Sequence, residues 1–203
     1  AMEVSSHALV QNRVAGVSFD VAVFSNLSRD HIDYHGGFRQ YALAKRRLFE
    51  FGSLTAAVIN TDEPFGRELV FQLRGRGLTC VTYGTTNEAD VSWIVDKYTR
   101  DGVVGKWHTK WGESDFNLQL FGDFSVSNVA AALGITLHRG YALHEVADAL
   151  TRLPDVPGRM ETFRVEGKPA VVVDYAHTPE ALRLALSALR THIGGRLICV
   201  FGC

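Results

Sequence analysis

The sequence has few cysteines, no excess of charge of either sign and no long apolar run, and each of these absences narrows the class of protein. Its three cysteines, Cys80, Cys199 and Cys203, are odd in number and lack metal-ligand spacing. They fit structural thiols in a reducing cytoplasm better than a disulfide framework. A net charge of −1 indicates no general attraction to nucleic acid or to a membrane surface. No apolar run approaches the length of a membrane span.

What is present is an ordinary globular composition without repeats or low-complexity tracts. The chain has 203 residues, of which 46% are hydrophobic and 21% charged, which is enough to bury a sizeable core.

Strand and helix patterns alternate over the first 83 residues. Apolar runs predict strands at 21–24, 55–60 and 78–83, and helical spacing predicts helices at 36–51 and from the candidate N-cap Asp62 to Gly75. This alternation predicts an α/β fold whose mostly parallel central sheet has helices on both faces. Residues 1–5 are expected to be the tail of another strand, and residues 6–15 a turn or short helix.

The pattern changes after residue 88. Three extended segments, at 89–98, 103–109 and 114–120, are separated by Asp101-Gly102 and Trp111-Gly112. Asp-Gly between extended runs is a hairpin signal, so a small antiparallel excursion is expected. Helical spacing returns at 125–139 and 145–153.

The segment 154–159 is the best linker candidate, because it holds two prolines and one glycine. It divides the chain into a central domain, residues 1–158, and the start of a Rossmann-like α/β domain, residues 159–203. In the latter, a buried strand is expected at 171–174, a helix from Thr178-Pro179 and a second strand at 197–201. A strand without its following helix suggests an internal piece of a longer enzyme.

The loop between the first strand and the next helix, Asn26–Gly36, carries two aspartates and two histidines. Strand ends of open α/β sheets bind ligands, and such groups are costly to bury unless a ligand or metal engages them. A solvated polar loop is the alternative.

Three residues form a candidate metal site: Glu3, His31 and Lys45. A carboxylate is a normal Mg²⁺ ligand, whereas an imidazole is an unusual one. A lysine would ligate only after its amine lost its proton and was carbamylated. The alternative for Lys45 is a solvated helix lysine.

Five segments in this order resemble one family, the Mur ligases. They are Glu3–His7, Asn26–Gly36, Ala44-Lys45, Gly158–Glu161 and Asp174–Pro179. The resemblance implies a three-domain cytoplasmic ligase of peptidoglycan synthesis that works as a monomer with ATP and Mg²⁺. It is strongest to the branch that adds meso-diaminopimelate to UDP-N-acetylmuramoyl-L-alanyl-D-glutamate. In that reaction ATP phosphorylates the substrate carboxylate, and the diamino acid attacks the acyl phosphate.

The resemblance also implies roles for individual residues. Glu3 and His31 would bind Mg²⁺, and a carbamylated Lys45 would position it, so that His31 and Lys45 count as catalytic. Three residues would hold the UDP-N-acetylmuramoyl-dipeptide: Ser5, Gln11 and Arg13. The paired donors of a guanidinium suit a carboxylate or phosphate. Ser5 and Gln11 could equally be turn or surface residues.

For the nucleotide, the resemblance assigns adenine to Asn128, a phosphate to Arg159 and the ribose to Asp174. The alternatives are a helix-surface amide for Asn128 and a strand-end cap for Asp174. Tyr175 and His177 are expected to line the nucleotide cleft or to pack in the core.

The chain departs from the family pattern in three places. Ser125 stands where many relatives have asparagine or histidine, and neither the phosphate-binding Gly-Thr-x-Gly-Lys-Thr loop nor the amino-acid-selecting Asp-Asn-Pro-Arg-like segment occurs in the 203 residues. These residues alone are therefore expected to be inactive. The open alternatives are a lysine-adding, D-alanyl-D-alanine-adding or folylpolyglutamate ligase, and a non-catalytic substrate-binding module.

Overall fold

A computed structural model describes residues 1–28 and 32–202 of the chain. Within them the elements are, in order, α1 (Ser6–Val10), β1 (Val21–Phe24), α2 (Ile32–His35), α3 (Phe38–Arg46), β2 (Ala56–Asn60), α4 (Pro64–Gly75), β3 (Thr79–Tyr83), β4 (Val91–Thr99), β5 (Gly102–Thr109), β6 (Gly112–Leu118), α5 (Asp123–His138), α6 (Leu143–Leu150), β7 (Glu161–Phe163), β8 (Val171–Val173) and α7 (Pro179–His192). A 3₁₀ turn, Arg47–Glu50, continues α3.

Six strands form one mixed sheet in the order β1 to β6, and β7 and β8 form a separate pair. The chain divides into two compact units, Ala1–Ser92 and Trp93–Cys203. In the first, β1, β2 and β3 run parallel, and β3 pairs with the start of β4 in the same sense. The predicted α/β fold with a mostly parallel sheet is confirmed.

The core of the first unit lies between this sheet and its helices. Every residue of β2 is buried, as expected for a central parallel strand covered on both faces. Leu69 and Leu73 of α4 pack with Phe24 and Ile59 of the sheet and with Phe49. The 3.6-residue spacing predicted this helix correctly.

Two details at the ends of elements differ from expectation. Residues 1–5 form no strand; instead Ser5 is the N-cap of α1, and its hydroxyl accepts a hydrogen bond from Ala8 N at 3.1 Å. Asp62 is not the cap of α4, because Glu63 occupies that position. The Asp62 carboxylate instead accepts bonds from the backbone N–H and hydroxyl of Thr85.

In the second unit, β5 and β6 form the predicted antiparallel hairpin. Trp107 of β5 is fully buried and packs against Trp93 and Phe116. The helix α5 follows, as its apolar spacing predicted.

Residues 159–202 are the part of the structure that differs most from the sequence-based prediction. The strand at 171–173 exists and pairs antiparallel with β7, which the sequence did not predict. It is not buried as predicted, since Val171 is 54% and Val173 43% exposed. Residues 197–201 are not a strand, since among the described residues they pair with no other strand; Val200 is 93% exposed.

The described part of the chain contains no helix that combines the length and the apolar character needed to span a membrane.

Candidate functional site

The first group of predicted site residues lies where α1 and α2 pack on α3. Gly36 and Gly37 join α2 to α3 with φ values of 72° and 148°. A side chain is strained in that conformation, so the two glycines allow the polar loop to turn directly into α3. Ser5 caps α1, and Gln11 ends it.

Gln11 and Arg13 are joined directly. Arg13 Nη2 donates to Gln11 Oε1, and Gln11 Nε2 donates to Tyr34 Oη at 2.8 Å. All three side chains are exposed, so they are accessible to a ligand. The structure thus brings two of the three predicted substrate residues together and adds Tyr34, which sequence reasoning did not propose for the site.

A cluster of aromatic rings lies between Tyr34 and the side chain of Lys45. The ring of His7 lies 4.0 Å from that of Tyr34, and the ring of His35 lies 5.4 Å from that of Tyr41. Tyr41 is buried, and Lys45 Nζ lies 5.3 Å from the centre of its ring, within the range of a cation–π contact. Lys45 is half-buried one turn after Tyr41.

His35 also contacts α1 through its ring nitrogen. His35 Nε2 and Ser6 Oγ are 2.9 Å apart, and Ser6 is buried. Sequence reasoning did not propose four of these residues for the site: Ser6, His7, His35 and Tyr41. The signal was present, since His7 and His35 stand in the two segments that carry the resemblance.

The metal candidates are described only in part. His31 lies outside the described residues. Glu3 is exposed, and its carboxylate offers the hard oxygen donors that Mg²⁺ takes. Across residues 1–28 and 32–202 no group of three or more histidine, cysteine, aspartate and glutamate side chains is arranged to hold a metal ion. Glu3 fits a site of this kind, because Mg²⁺ is commonly held by one or two carboxylates and several waters.

The second group lies in the second unit, around the Gly158-Arg159 turn. Arg159 N donates to Val156 O at 2.9 Å, and Gly158, after Pro157, has a φ of 68°, as in a type II turn. The turn presents Arg159, whose exposed guanidinium lies 4.9 Å from the centre of the Tyr175 ring.

Asp174 holds two loops together. One carboxylate oxygen accepts from Met160 N at 3.0 Å, and the other from Ala176 N at 2.9 Å. Both oxygens are thereby engaged by backbone N–H groups, which is the strand-end capping role that the sequence left open. The Met160 backbone has a φ of 51°, which is unfavourable for a methionine, and this bond helps to hold it there.

Asn128, the third residue predicted to bind the nucleotide, lies on a different element from Arg159 and Asp174. It is exposed in α5, and within the described residues no hydrogen bond joins it to Arg159 or Asp174. Nearby, Ser125 Oγ donates to Phe121 O at 2.7 Å. Tyr175 and His177 are exposed with their rings 5.0 Å apart, so they do not pack in the core.

Comparison with known proteins gives matches along almost the whole chain. The model of the Mur ligase middle domain matches residues 1–136, and that of the Mur ligase glutamate ligase domain matches residues 158–203. Two relatives named UDP-N-acetylmuramoyl-L-alanyl-D-glutamate--2,6-diaminopimelate ligase are similar over 100% of this chain. The protein from Pseudomonas syringae pv. tomato is 47% identical, and that from Neisseria meningitidis serogroup A is 44% identical.

A solved structure bearing the same name covers 99% of this chain with a TM-score of 0.83 and 39% identity. In each case the chain spans 42% of the length of the protein it matches.

Proposed function

Because this chain belongs to the Mur ligase family, we propose that it forms part of an ATP-dependent ligase that adds meso-diaminopimelate to UDP-N-acetylmuramoyl-L-alanyl-D-glutamate in peptidoglycan synthesis. The observation that carries the proposal is the likeness, at 44–47% identity over the whole chain, to ligases named for that reaction. In this reaction ATP transfers a phosphoryl group to a carboxylate of the UDP substrate, so two polyanions must meet and the site must neutralise charge as it develops.

In this proposal the first group of residues binds the UDP-muramoyl end. Gln11 and Arg13 form a joined pair at the end of α1, and Ser5 precedes the same helix. A guanidinium has five N–H donors in a planar fork. Arg13 gives one of them to Gln11 and keeps others for a carboxylate or phosphate oxygen.

Glu3, His31 and Lys45 hold Mg²⁺ in this proposal, with Lys45 as a carbamate. When bound, the ion supplies positive charge beside the transferring phosphoryl group. Glu3 contributes a carboxylate oxygen.

In this proposal Asn128, Arg159 and Asp174 bind the nucleotide. Arg159 is exposed on a turn and can bring its charge to a phosphate. Asp174 positions the backbone beside Arg159 through Met160 N, while its outer lone pairs remain able to accept from a ribose hydroxyl.

We further propose that residues 1–158 and 159–203 belong to separate domains and that the ligase is a cytoplasmic monomer.

Three other ligases and one binding module compete with this proposal. Lysine, D-alanyl-D-alanine or glutamate would replace diaminopimelate in the ligases, and the module would bind substrate without ATP turnover. The names of the relatives favour diaminopimelate.

Phosphate release by a ligase of full family length that carries these 203 residues tests the proposal. With UDP-N-acetylmuramoyl-L-alanyl-D-glutamate and ATP, we expect release with meso-diaminopimelate and little with lysine. Equal or greater release with lysine would contradict the assignment of the amino acid. Binding of the UDP substrate without any turnover would favour the binding module.

A further inference from the structure

Tyr34 contacts the Gln11 side chain at the end of the amide opposite Arg13. Gln11 donates through Nε2 to Tyr34 Oη at 2.8 Å and accepts through Oε1 from Arg13 Nη2. Arg13, whose guanidinium can only donate, sets which end of the amide carries the oxygen, and Tyr34 anchors the other end. The Tyr34 hydroxyl can accept or donate, so it restrains where the amide group lies rather than which of its two ends faces the ring.

The Tyr34 ring is itself held by its neighbours rather than by burial. It is 48% exposed, yet it lies 4.0 Å from the ring of His7 on α1 and meets the ring of His35 edge-on at 4.9 Å. His35 in turn lies 2.9 Å from Ser6 Oγ. These contacts attach α2 to α1, so the phenol oxygen has a defined position beside Gln11.

The arrangement reduces the freedom of two long side chains. Glutamine and arginine have long side chains, and each loses rotamer entropy when a ligand orders it. A side chain already fixed by a hydrogen bond has less of that entropy left to lose on binding. In this Tyr34–Gln11–Arg13 relay of hydrogen bonds, Tyr34 is the member held by ring contacts, with His7 and His35.

We propose that Tyr34 is a positioning residue for the UDP-N-acetylmuramoyl-dipeptide and acts by restraining the position of Gln11 and, through it, of Arg13. The inference rests on the proposed function, and it adds a residue from the polar loop region to a substrate site built on α1. Tyr34 orders the binding side chains before the substrate arrives.

Tyr34→Phe tests this, because it keeps both ring contacts and removes only the hydroxyl. In a ligase of full family length, we expect the KM for the UDP substrate to rise roughly 2- to 12-fold, the worth of one neutral hydrogen bond. The KM for ATP and kcat should stay within about twofold. Tyr141→Phe is the matched control, since Tyr141 is 61% exposed and belongs to the loop before α6.

A double-mutant cycle with Gln11→Ala separates a relay from a merely structural effect. If Tyr34 acts through Gln11, the double variant should show the same KM as Gln11→Ala alone. Additive increases in KM, or a fall in kcat with unchanged KM, would overturn the inference. A matching thermal midpoint for Tyr34→Phe and the wild type shows that the fold is intact.

Calorimetric binding of the UDP substrate keeps this inference distinct from the proposed function. A wild-type ligase that binds and ligates, alongside a Tyr34→Phe variant of equal affinity, would refute the relay alone. A wild type that neither binds nor ligates would refute the proposed function and the relay together.

Discussion

Lys45 lies one turn after the buried Tyr41, with its ammonium 5.3 Å from that ring. If Lys45 holds Mg²⁺ as a carbamate, then Lys45→Ala removes an anionic oxygen donor and should lower ligation by roughly 100-fold or more in a ligase of full family length. Added short carboxylic acids should restore part of the activity, because their oxygens can replace the carbamate. Phosphate release with and without added acetate or formate measures both effects.

Lys97→Ala is the control for that experiment, since Lys97 is exposed on β4. It should leave activity unchanged with or without the acids. Near-normal activity in Lys45→Ala would remove Lys45 from the site.

Tyr98 gives a prediction for alkaline pH. Burial, together with the hydrogen bond to Asp123 and the charge of that carboxylate, raises the pKa of Tyr98 from 10 to about 12. Between pH 10 and 12 an unfolded tyrosine has lost its proton while the folded one keeps it, so the free energy of unfolding falls as pH rises through this range. Below pH 10 the contribution is fully present.

Tyr98→Phe removes this titration and should flatten the fall in stability. Denaturant unfolding at intervals from pH 9 to 12 measures the difference between the variant and the wild type. Parallel curves for the two proteins would show that Tyr98 does not titrate as described.

At the scale of the element, α4 lies close against the sheet at one glycine. A Cβ on Gly66 would lie 1.9 Å from Asn60 O and 3.3 Å from the Ile59 side chain. Gly66→Ala should therefore destabilise the protein by about 1–3 kcal/mol through overpacking, although alanine favours a helix by about 1 kcal/mol. Denaturant midpoints measure the change.

Gly75 provides the matched control at the end of the same helix. A Cβ there would meet nothing within 4 Å, so Gly75→Ala should be neutral or stabilising by up to about 1 kcal/mol. If both variants proved equally stable, close contact between α4 and β2 would not be what selects glycine at position 66.

The strands show which parts of the sheet an apolar sequence pattern can predict. Apolar runs predicted β1, β2 and β3. For β2, every residue of which is buried, the reason is that a strand covered on both faces has a continuous apolar sequence. An equally apolar run at 197–201 forms no strand. A strand needs hydrogen bonds from a neighbour, and local composition carries no information on whether that neighbour is in place.

At the scale of the whole molecule, these 203 residues contain no Gly-Thr-x-Gly-Lys-Thr segment. Such a loop supplies backbone N–H groups and a lysine to the nucleotide phosphates. We therefore predict that a polypeptide of these residues alone releases no phosphate from ATP when given the UDP substrate and diaminopimelate. Phosphate release above background from that polypeptide would contradict the prediction.

The sequence by itself determined the α/β class, the hairpin, most of the helices and the family, because periodicity, turn residues and motif order are local properties of the chain. It also named Gln11 and Arg13, but it did not determine that they hydrogen-bond to each other. Tertiary structure alone decided that Tyr34 and His35 would meet α1 and that Asp174 would cap two backbone N–H groups. These contacts join residues up to 29 positions apart, and their existence depends on how helices and loops pack, which no local pattern specifies.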